Sequence, residues 1–262
     1  MTLFGMTRAA LVLGISIACA ATLTAQAASS PGSASTSSTS PSSTAPAVAE
    51  SSSAEAPPVH DDVATFYERR AALTQWVYDT VPEREVPAIL KQALIEQDKR
   101  NQAADPAKDL AQFACVAPEA PIPSAQAQAT FERAASSPDS EASALYARAA
   151  AEGHWRAAAR LISRMLDDED WESAQPVIAW LLHQKVPSGW NKLADLLQAT
   201  SSYDGESTSD LANDFILGLR WRAAQAGDPV AQITLARLFE KEGETKIAAA
   251  LTACAKKHNE GL

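Results

Sequence analysis

The sequence predicts an all-α protein, an α-solenoid of stacked antiparallel helix pairs preceded by an N-terminal helical hairpin. The first observation is a sequence pattern that occurs twice, in residues 145–161 and 219–238, at a constant offset of 74 positions (222 − 148 = 74). Each copy ends one helix on Arg-Ala-Ala, turns at a glycine and starts another helix, which is typical of α-solenoids. The second observation is that residues 59–152 lack glycine and are rich in strong helix formers.

Twelve residues define the repeat, because aromatic, basic, alanine and glycine positions recur in both copies. They are Tyr146, Arg148, Ala149, Ala150, Gly153 and Ala157 in the first copy, and Trp221, Arg222, Ala223, Ala224, Gly227 and Ala231 in the second. The alanines allow neighbouring helices to approach closely, and each glycine is expected to end a helix in a left-handed conformation. Trp155, Trp180, Trp190 and Trp221 lie near helix junctions, where we expect them to anchor the core rather than face a ligand.

Residues 1–27 resemble a secretory signal peptide. Arg8 precedes an apolar stretch, residues 9–23, that is too short for a confident membrane span, and Ala25-Gln26-Ala27 offers a cleavage site. Cys19 lies in a sequence similar to a bacterial lipoprotein signal and could be lipidated, although Ser16 departs from that motif. Ordinary cleavage before residue 28 is favoured, and both alternatives predict export.

Residues 28–58 are predicted to form a disordered linker. The segment consists almost wholly of Ser, Thr, Pro, Ala and Gly, with no aromatic residue and no Lys or Arg. Such a composition cannot bury enough apolar surface to offset the entropy lost on ordering. A spacer between a membrane or wall and a folded domain would fit this position, and a passive linker is the simpler interpretation.

Residues 59–123 are predicted to form the N-terminal helical region. Amphipathic spacing predicts one helix over 62–80 and a second that begins near Pro87, a residue suited to a first helical turn. The proline-rich stretch 115–123 is predicted to be an extended connector.

Residues 124–262 are predicted to form the helical-repeat domain. Its predicted helices cover 125–135, 139–152, 155–167, 171–184, 190–200, 209–226, 228–242 and 244–257. Asp170, Ser188 and Asp228 are candidate N-terminal caps. A weaker middle copy at 186–194 has Pro187 where a glycine turn is expected, and it gives units of roughly 34–37 residues.

The second copy resembles the Sel-type branch of the tetratricopeptide superfamily. The motif of that family consists of an aromatic residue, Arg or Lys, Ala-Ala, two variable residues, Gly-Asn/Asp and then Ala-Gln. Residues 221–232 match this motif. Residues 146–154 form a looser copy, and the polar stretch 201–207 replaces the family's Gly-x-Gly-Val loop. The resemblance covers residues 140–243 and implies a protein-binding helical repeat.

Cys115 and Cys254 form an even pair if Cys19 is removed with the signal peptide. In an oxidising compartment they could form a disulfide, and two buried thiols are about as well supported. The sequence does not decide between these alternatives.

Catalytic and metal-binding motifs are missing from the sequence, so we predict no enzyme activity, no cofactor and no metal. The four histidines, His60, His154, His183 and His258, are scattered, and His154 is expected to cap or pack at a helix junction. The acidic run 167–170 lacks the spacing of a calcium loop and is expected to cap the next helix. A Cys115–His154 thiol dyad has no support from the sequence beyond the residue types.

The chain has 22 basic and 32 acidic residues, a balance that argues against nucleic acid and anionic lipid as partners. The balance is compatible with a basic protein as the partner, and a protein partner is what the helical repeat predicts. Membrane attachment is expected only through lipidated Cys19. The leading hypothesis is a periplasmic immunity or accessory protein for a secreted antibacterial effector, a role that exported proteins of the resembled type often have. An envelope scaffold is the alternative, and a cell-wall hydrolase is less well supported.

Overall fold

The structure is a computed structural model that describes residues 68, 70–103, 113–203 and 210–258. All of these residues belong to one compact unit, Ala56–Leu262. The predicted signal peptide with Cys19, the linker and His60 lie outside the described residues. Within the described part, the regular structure is entirely helical, which confirms the all-α prediction.

The described part of the chain consists mostly of helices. Residues 70–74 are helical, and two 3₁₀ helices follow at Gln75–Asp79 and Glu83–Glu85. The α-helices are α1 (Val86–Ala103), α2 (Ala125–Ser136), α3 (Asp139–Ala151), α4 (Trp155–Asp167), α5 (Trp171–His183), α6 (Ser188–Tyr203), α7 (Asp210–Gln225), α8 (Pro229–Lys241) and α9 (Thr245–His258). From residue 124 onwards these bounds agree with the predicted ones to within three residues. The predicted connector, 115–123, lies within the non-helical stretch 113–124.

The N-terminal region differs from the predicted hairpin. The predicted first helix becomes 3₁₀ at Gln75 and ends at Asp79, and part of it lies outside the described residues. Helix α1 packs against α5 and α7, and the Gln75–Asp79 turn also contacts α5. Trp76 meets Trp180 of α5 edge-on, with ring centroids 5.1 Å apart. The N-terminal elements are therefore seated on helices of the repeat region.

The later helices pack in adjacent pairs. Each helix from α2 to α9 contacts the next one along the chain, and α4, α6 and α8 also contact one another in series. Buried alanines lie at these contacts, because their small side chains let the helix backbones approach. One apolar cluster extends from Val77 to Leu219, and a second joins α7, α8 and α9. Trp190 packs against both clusters.

Within the described residues, five junctions between consecutive helices share one backbone geometry. At the α3–α4 junction, the His154 N–H donates to the Ala149 carbonyl oxygen at 3.0 Å and the Gly153 N–H donates to that of Ala150 at 2.9 Å. This is the Schellman arrangement, which requires a left-handed residue after the helix. The left-handed residues at the five junctions are Gly153, Glu169, Lys185, Gly227 and Gly243.

Lys185 corrects the interpretation of the middle copy. The sequence pattern places Pro187 where a glycine turn is expected, but Lys185 adopts the left-handed conformation with φ of 57°, and Pro187 lies two residues after it. The Val186 N–H donates to the Leu181 carbonyl oxygen at 2.9 Å, as at the glycine junctions. The turn geometry is thus kept without the glycine that the sequence pattern uses elsewhere.

Side chains cap three of the helices that follow these turns. Asp170 accepts from the Ser173 N–H, Asp228 from the Ala231 N–H, and the His154 Nδ1 from the Ala157 N–H. Two of the three predicted caps are therefore confirmed, and His154 caps as expected. Ser188 is not a cap, because α6 begins at Ser188 itself and its hydroxyl binds the buried Asp228 carboxylate.

The 74-residue offset also applies to helix boundaries and turns outside the repeated sequence pattern. Helix α4 begins 74 residues before α8 (229 − 155 = 74), and α5 begins 74 residues before α9 (245 − 171 = 74). Two successive left-handed turns follow the same offset, Gly153 with Gly227 and Glu169 with Gly243. The repeated unit is therefore a three-helix stretch, α3–α5 and α7–α9, with α6 between its copies.

Candidate functional site

The repeat-defining residues lie mostly in the core. Ala149, Ala150 and Ala157 are completely buried, as are their counterparts in the second copy, Ala223, Ala224 and Ala231. Tyr146 is also buried, and Trp221 packs partly buried against the second apolar cluster. The six alanines and Tyr146 therefore hold neighbouring helices together.

The two repeat arginines have different surroundings. Arg148 is largely exposed and pairs with Glu152 one turn later at 3.4 Å. Arg222 lies over the Trp190 ring, 3.5 Å from its centroid, and pairs with Glu96 of α1 at 3.2 Å. Arg222 thus joins three helices, whereas Arg148 makes a local contact.

A polar groove runs between α4 and α6. It encloses about 280 Å³ and is lined by Ser163, Leu166, Asp167, Asp195, Gln198 and Ala199. Behind this lining, Lys192 donates to the Ser163 hydroxyl at 2.7 Å and to the Asp195 carboxylate at 2.9 Å. Arg220 of α7 pairs with the other Asp195 oxygen at 2.8 Å. Two cations therefore hold the Asp195 carboxylate in one position beside the groove.

The contact between Ser163 and Lys192 raises the question of serine hydrolysis. A lysine that acts as general base must lose its proton, and this requires surroundings that disfavour the ammonium. The Lys192 ammonium is instead engaged by the Asp195 carboxylate at 2.9 Å. The Ser163 hydroxyl in turn donates to the Ala159 carbonyl oxygen at 3.2 Å. The arrangement fits a structural polar network better than an activated nucleophile.

A second groove lies where residues 70–73 meet α3 and α4. It encloses about 500 Å³, with an apolar floor that includes Leu73, Leu161 and Met165. Arg70 at its edge pairs with Asp170, and Arg164 pairs with Asp139 at 2.8 Å. Arg164 also donates to the Ser143 hydroxyl at 2.9 Å. Both cations are thus engaged within the chain.

Two buried titratable groups occupy equivalent positions at the repeat turns. His154 is completely buried, stacks on Phe131 and contacts the Gln128 Oε1 through its Nε2 at 3.0 Å. Burial lowers its pKa below the ordinary 6.5, since the charged ring would lose its hydration. Asp228 is equally enclosed, and burial raises the pKa of its carboxyl above the ordinary 3.8. The His154 ring is neutral, accepts at Nδ1 and donates from Nε2, and so has the fixed role of a cap.

The acidic run 167–170 behaves as a helix terminus. Asp167, Asp168 and Glu169 are exposed, and Asp170 caps α5. The predicted capping role is therefore confirmed for Asp170. His183, in the last turn of α5, is exposed.

The structure joins Cys115 and Cys254 in a disulfide, with Cα atoms 5.4 Å apart. The bond fastens the connector to α9 across 139 residues of sequence. His258, one turn after Cys254, lies beside the pair, and one ligand atom from each of the three residues falls within 4.8 Å of the others. The sequence could not place Cys115 here, because the connector has no periodicity that specifies its path. His154 is a core residue at the α3–α4 turn, so the structure gives no support to a Cys115–His154 dyad.

The connector also packs on the second glycine turn. A Cβ atom at Gly227 would lie 2.6 Å from the Pro118 nitrogen and 2.8 Å from the Val116 carbonyl oxygen. Glycine is needed there both for its positive φ of 93° and for this close approach.

Comparison of the chain with family models, with curated proteins and with solved structures found no match. The resemblance to Sel-type repeats therefore stays a prediction based on residues 146–154 and 221–232. Among the described helices, none combines the length and the apolar character needed to cross a bilayer.

Proposed function

We propose that this chain is an exported, periplasmic and non-enzymatic helical-repeat protein that binds another protein. In this proposal the array from α2 to α9 is an α-solenoid of the Sel type, and α4, α6 and α8 form its binding layer. The contacts of these three helices in series support the layer. The uniform left-handed turns support a repeat, because equivalent junctions impose equivalent helix angles.

The polar groove between α4 and α6 is the observation that carries the proposal. Its Asp195 carboxylate is held by Lys192 and Arg220, so a partner would meet polar groups whose positions are already determined. Preorganised groups lose little entropy on binding and can therefore contribute affinity and specificity. Asp167 lines the groove as an exposed carboxylate, and the chain is acidic overall, so a basic segment of the partner fits this surface.

The partner we favour is a toxic effector that acts in the periplasm, which would make the chain an immunity or accessory protein. The predicted signal peptide and linker would place the folded unit where such a toxin acts. An envelope scaffold that organises several proteins is the alternative. Lipidation of Cys19 would attach either protein to a membrane, and mass measurement of the mature N-terminus would detect it.

Capture from periplasmic extracts with matched charge-reversal variants would test the proposal. Asp167→Lys changes the groove, and Asp98→Lys makes the same charge change on α1, where Asp98 is exposed. We expect the wild-type chain and the control to retain one stable partner and Asp167→Lys to lose it. Failure to retain any partner, or equal retention by both variants, would count against the proposal.

Neutralisation separates the immunity protein from the scaffold. Purified chain added at a one-to-one ratio should abolish the partner's toxicity if it is an immunity protein, and the gene should lie beside that of the effector. A scaffold should instead bind two different proteins at the same time, and its deletion should affect cells that lack the effector. Turnover of cell-wall material by the purified chain would favour the hydrolase, with Ser163→Ala as the first variant to assay.

A further inference from the structure

We propose that Cys115, Cys254 and His258 bind one thiophilic d¹⁰ cation, Zn(II) or Cu(I), when the disulfide between the two cysteines is reduced. The same residues would then exist in two exclusive states, a disulfide and a metal site. The inference does not depend on the identity of the protein partner.

The spatial arrangement suits a single small ion. One ligand atom from each residue lies within 4.8 Å of the other two. Zinc bonds to sulfur at about 2.3 Å and to nitrogen at about 2.0–2.1 Å, so the ligand atoms of one tetrahedral site are roughly 3.5–4 Å apart. After reduction the two sulfur atoms must move apart slightly, and Cys115 can allow this because it lies in a non-helical segment.

His258 provides an independent observation. Its Nε2 atom is closed off from solvent and has no hydrogen-bond partner, which is costly for a buried ring nitrogen. Cys254 and His258 are four residues apart on α9, so their side chains share one face of the helix. A bound cation would give the Nε2 atom the partner that it lacks.

The donor set selects the class of ion. Two thiolates and an imidazole favour Zn(II) and Cu(I) over the hard cations Mg²⁺ and Ca²⁺, which take oxygen ligands. Three protein ligands leave a fourth position open at a tetrahedral ion, for water or an external ligand. Cys115 is exposed while Cys254 is buried, so the ion would enter from the connector side.

Conversion between the two states requires an external dithiol as the reductant. One of its thiolates attacks the exposed Cys115 sulfur, the S–S bond breaks, and Cys254 leaves as a thiolate that takes up a proton. The second thiolate of the reductant then attacks the mixed disulfide and frees Cys115, while the reductant becomes a disulfide. Two electrons and two protons pass to the chain, and binding of the cation then displaces the two thiol protons.

The sequence alone does not indicate this metal site, because Cys115 is distant in sequence from Cys254 and His258 on α9. The spacing of Cys254 and His258 is visible in the sequence, but two ligands at a helical spacing are too common to indicate a metal. Only the fold brings the third ligand to them.

Metal titration of the full-length chain would test the proposal, with Cys19→Ser in every arm so that two cysteines remain. Oxidised and reduced chains are freed of reductant under anaerobic conditions and titrated with Co(II) as a spectroscopic probe, then with Zn(II) or Cu(I). We expect one ion per reduced chain by native mass spectrometry, with tetrahedral Co(II) absorption bands and thiolate charge transfer. The oxidised chain should bind none at this site, and competition between Zn(II) and Cu(I) identifies the preferred ion.

His258→Ala keeps both cysteines, so its disulfide can still form, and His183→Ala is the control on an exposed histidine. Loss of a second-shell partner alone costs about 10–100-fold in metal affinity, so loss of this ligand should cost at least roughly tenfold. Equal binding by oxidised and reduced chains, no binding by the reduced chain, or unchanged affinity in His258→Ala would overturn the proposal. If reduction lowers the helical content, recovery on metal addition would support it, and no recovery would refute it.

Discussion

The turns at Gly153 and Gly227 have nearly the same backbone conformation, with φ of 90° and 93°, but they lie in different surroundings. A Cβ atom at Gly153 would meet nothing within 4 Å, whereas at Gly227 it would collide with the connector. The first turn is followed by a histidine cap and the second by an aspartate cap. The two glycines thus adopt the same backbone conformation, but the residues that surround each turn are different.

This difference means that equivalent substitutions should have unequal effects. Local backbone strain is shared by the two glycine turns, but only the Gly227 turn contacts the connector, and only Arg222 of the two repeat arginines pairs with α1. Paired variants at equivalent positions therefore measure what the tertiary contacts contribute.

Replacement of each glycine by alanine should show the largest contrast. Gly153→Ala should cost about 1–2 kcal/mol in the free energy of unfolding, because alanine disfavours the left-handed conformation. Gly227→Ala carries the same strain, and the collision with residues 116–118 adds about 1–3 kcal/mol. Urea unfolding of the two variants measures both costs. Equal losses in the two variants would show that the connector does not rest on the second turn.

Removal of the aspartate cap should have the next largest effect. Asp228→Ala deprives the Ala231 N–H of its acceptor and leaves the buried Ser188 hydroxyl without its carboxylate. We expect a loss of about 1–3 kcal/mol, and Asp228→Asn should recover part of it because asparagine also caps helices. Thermal unfolding of both variants is the measurement, and full stability of Asp228→Ala would contradict the capping role.

The two caps should respond to pH in opposite directions. The pKa of His154 is lower in the folded state than its ordinary 6.5, so the unfolded chain binds more protons and stability falls as the pH drops below about 6.5. The pKa of Asp228 is raised above 3.8, so the folded chain binds more protons and stability falls as the pH rises from about 3.8. Arg156 and Glu132 act on His154, and Lys192 and Asp195 on Asp228, with smaller effects than burial.

Unfolding curves between pH 4 and 8 for the wild type, His154→Asn and Asp228→Asn would test these signs. On acidification, the free energy of unfolding of the wild type should decrease relative to that of His154→Asn. It should increase relative to that of Asp228→Asn. Parallel curves for all three chains would show that neither buried group titrates differently on folding.

The repeat arginines should give the smallest contrast. Arg222→Ala removes the contact with Trp190 and the pair with Glu96, and we expect a loss of about 1 kcal/mol. Arg148→Ala removes an exposed pair and should change stability by less than about 0.5 kcal/mol. Chemical unfolding would measure both, and a larger effect of Arg148→Ala would refute the assigned contacts.

Much of the local structure could be predicted because it depends on neighbouring residues. Helix α4 begins and ends at its predicted residues. Its start could be predicted because the Arg-Ala-Ala sequence indicates the end of the preceding helix, and Gly153 and His154 directly precede α4. The sequence pattern misses the Lys185 turn because it relies on glycine to mark a left-handed residue, and here a lysine adopts that conformation. The N-terminal elements were assigned as a hairpin because amphipathic spacing shows which face is buried but not what covers it.

The grooves were beyond sequence analysis for the same reason. Ser163, Lys192 and Arg220 belong to three different helices, and no motif connects them before the helices pack. Charged residues on helices are usually solvated, so their pattern in the sequence predicts an exposed helix face and does not predict a groove.

By itself, the sequence determined the helices from residue 124 onwards, the turns at Gly153 and Gly227 and their 74-residue offset, because these depend on interactions within a few residues of one another. The tertiary structure alone decided where the connector lies, which glycine it covers, and that Cys115 meets Cys254 and His258. Those contacts depend on surfaces brought together by burial of apolar side chains, and no local pattern specifies which surfaces meet.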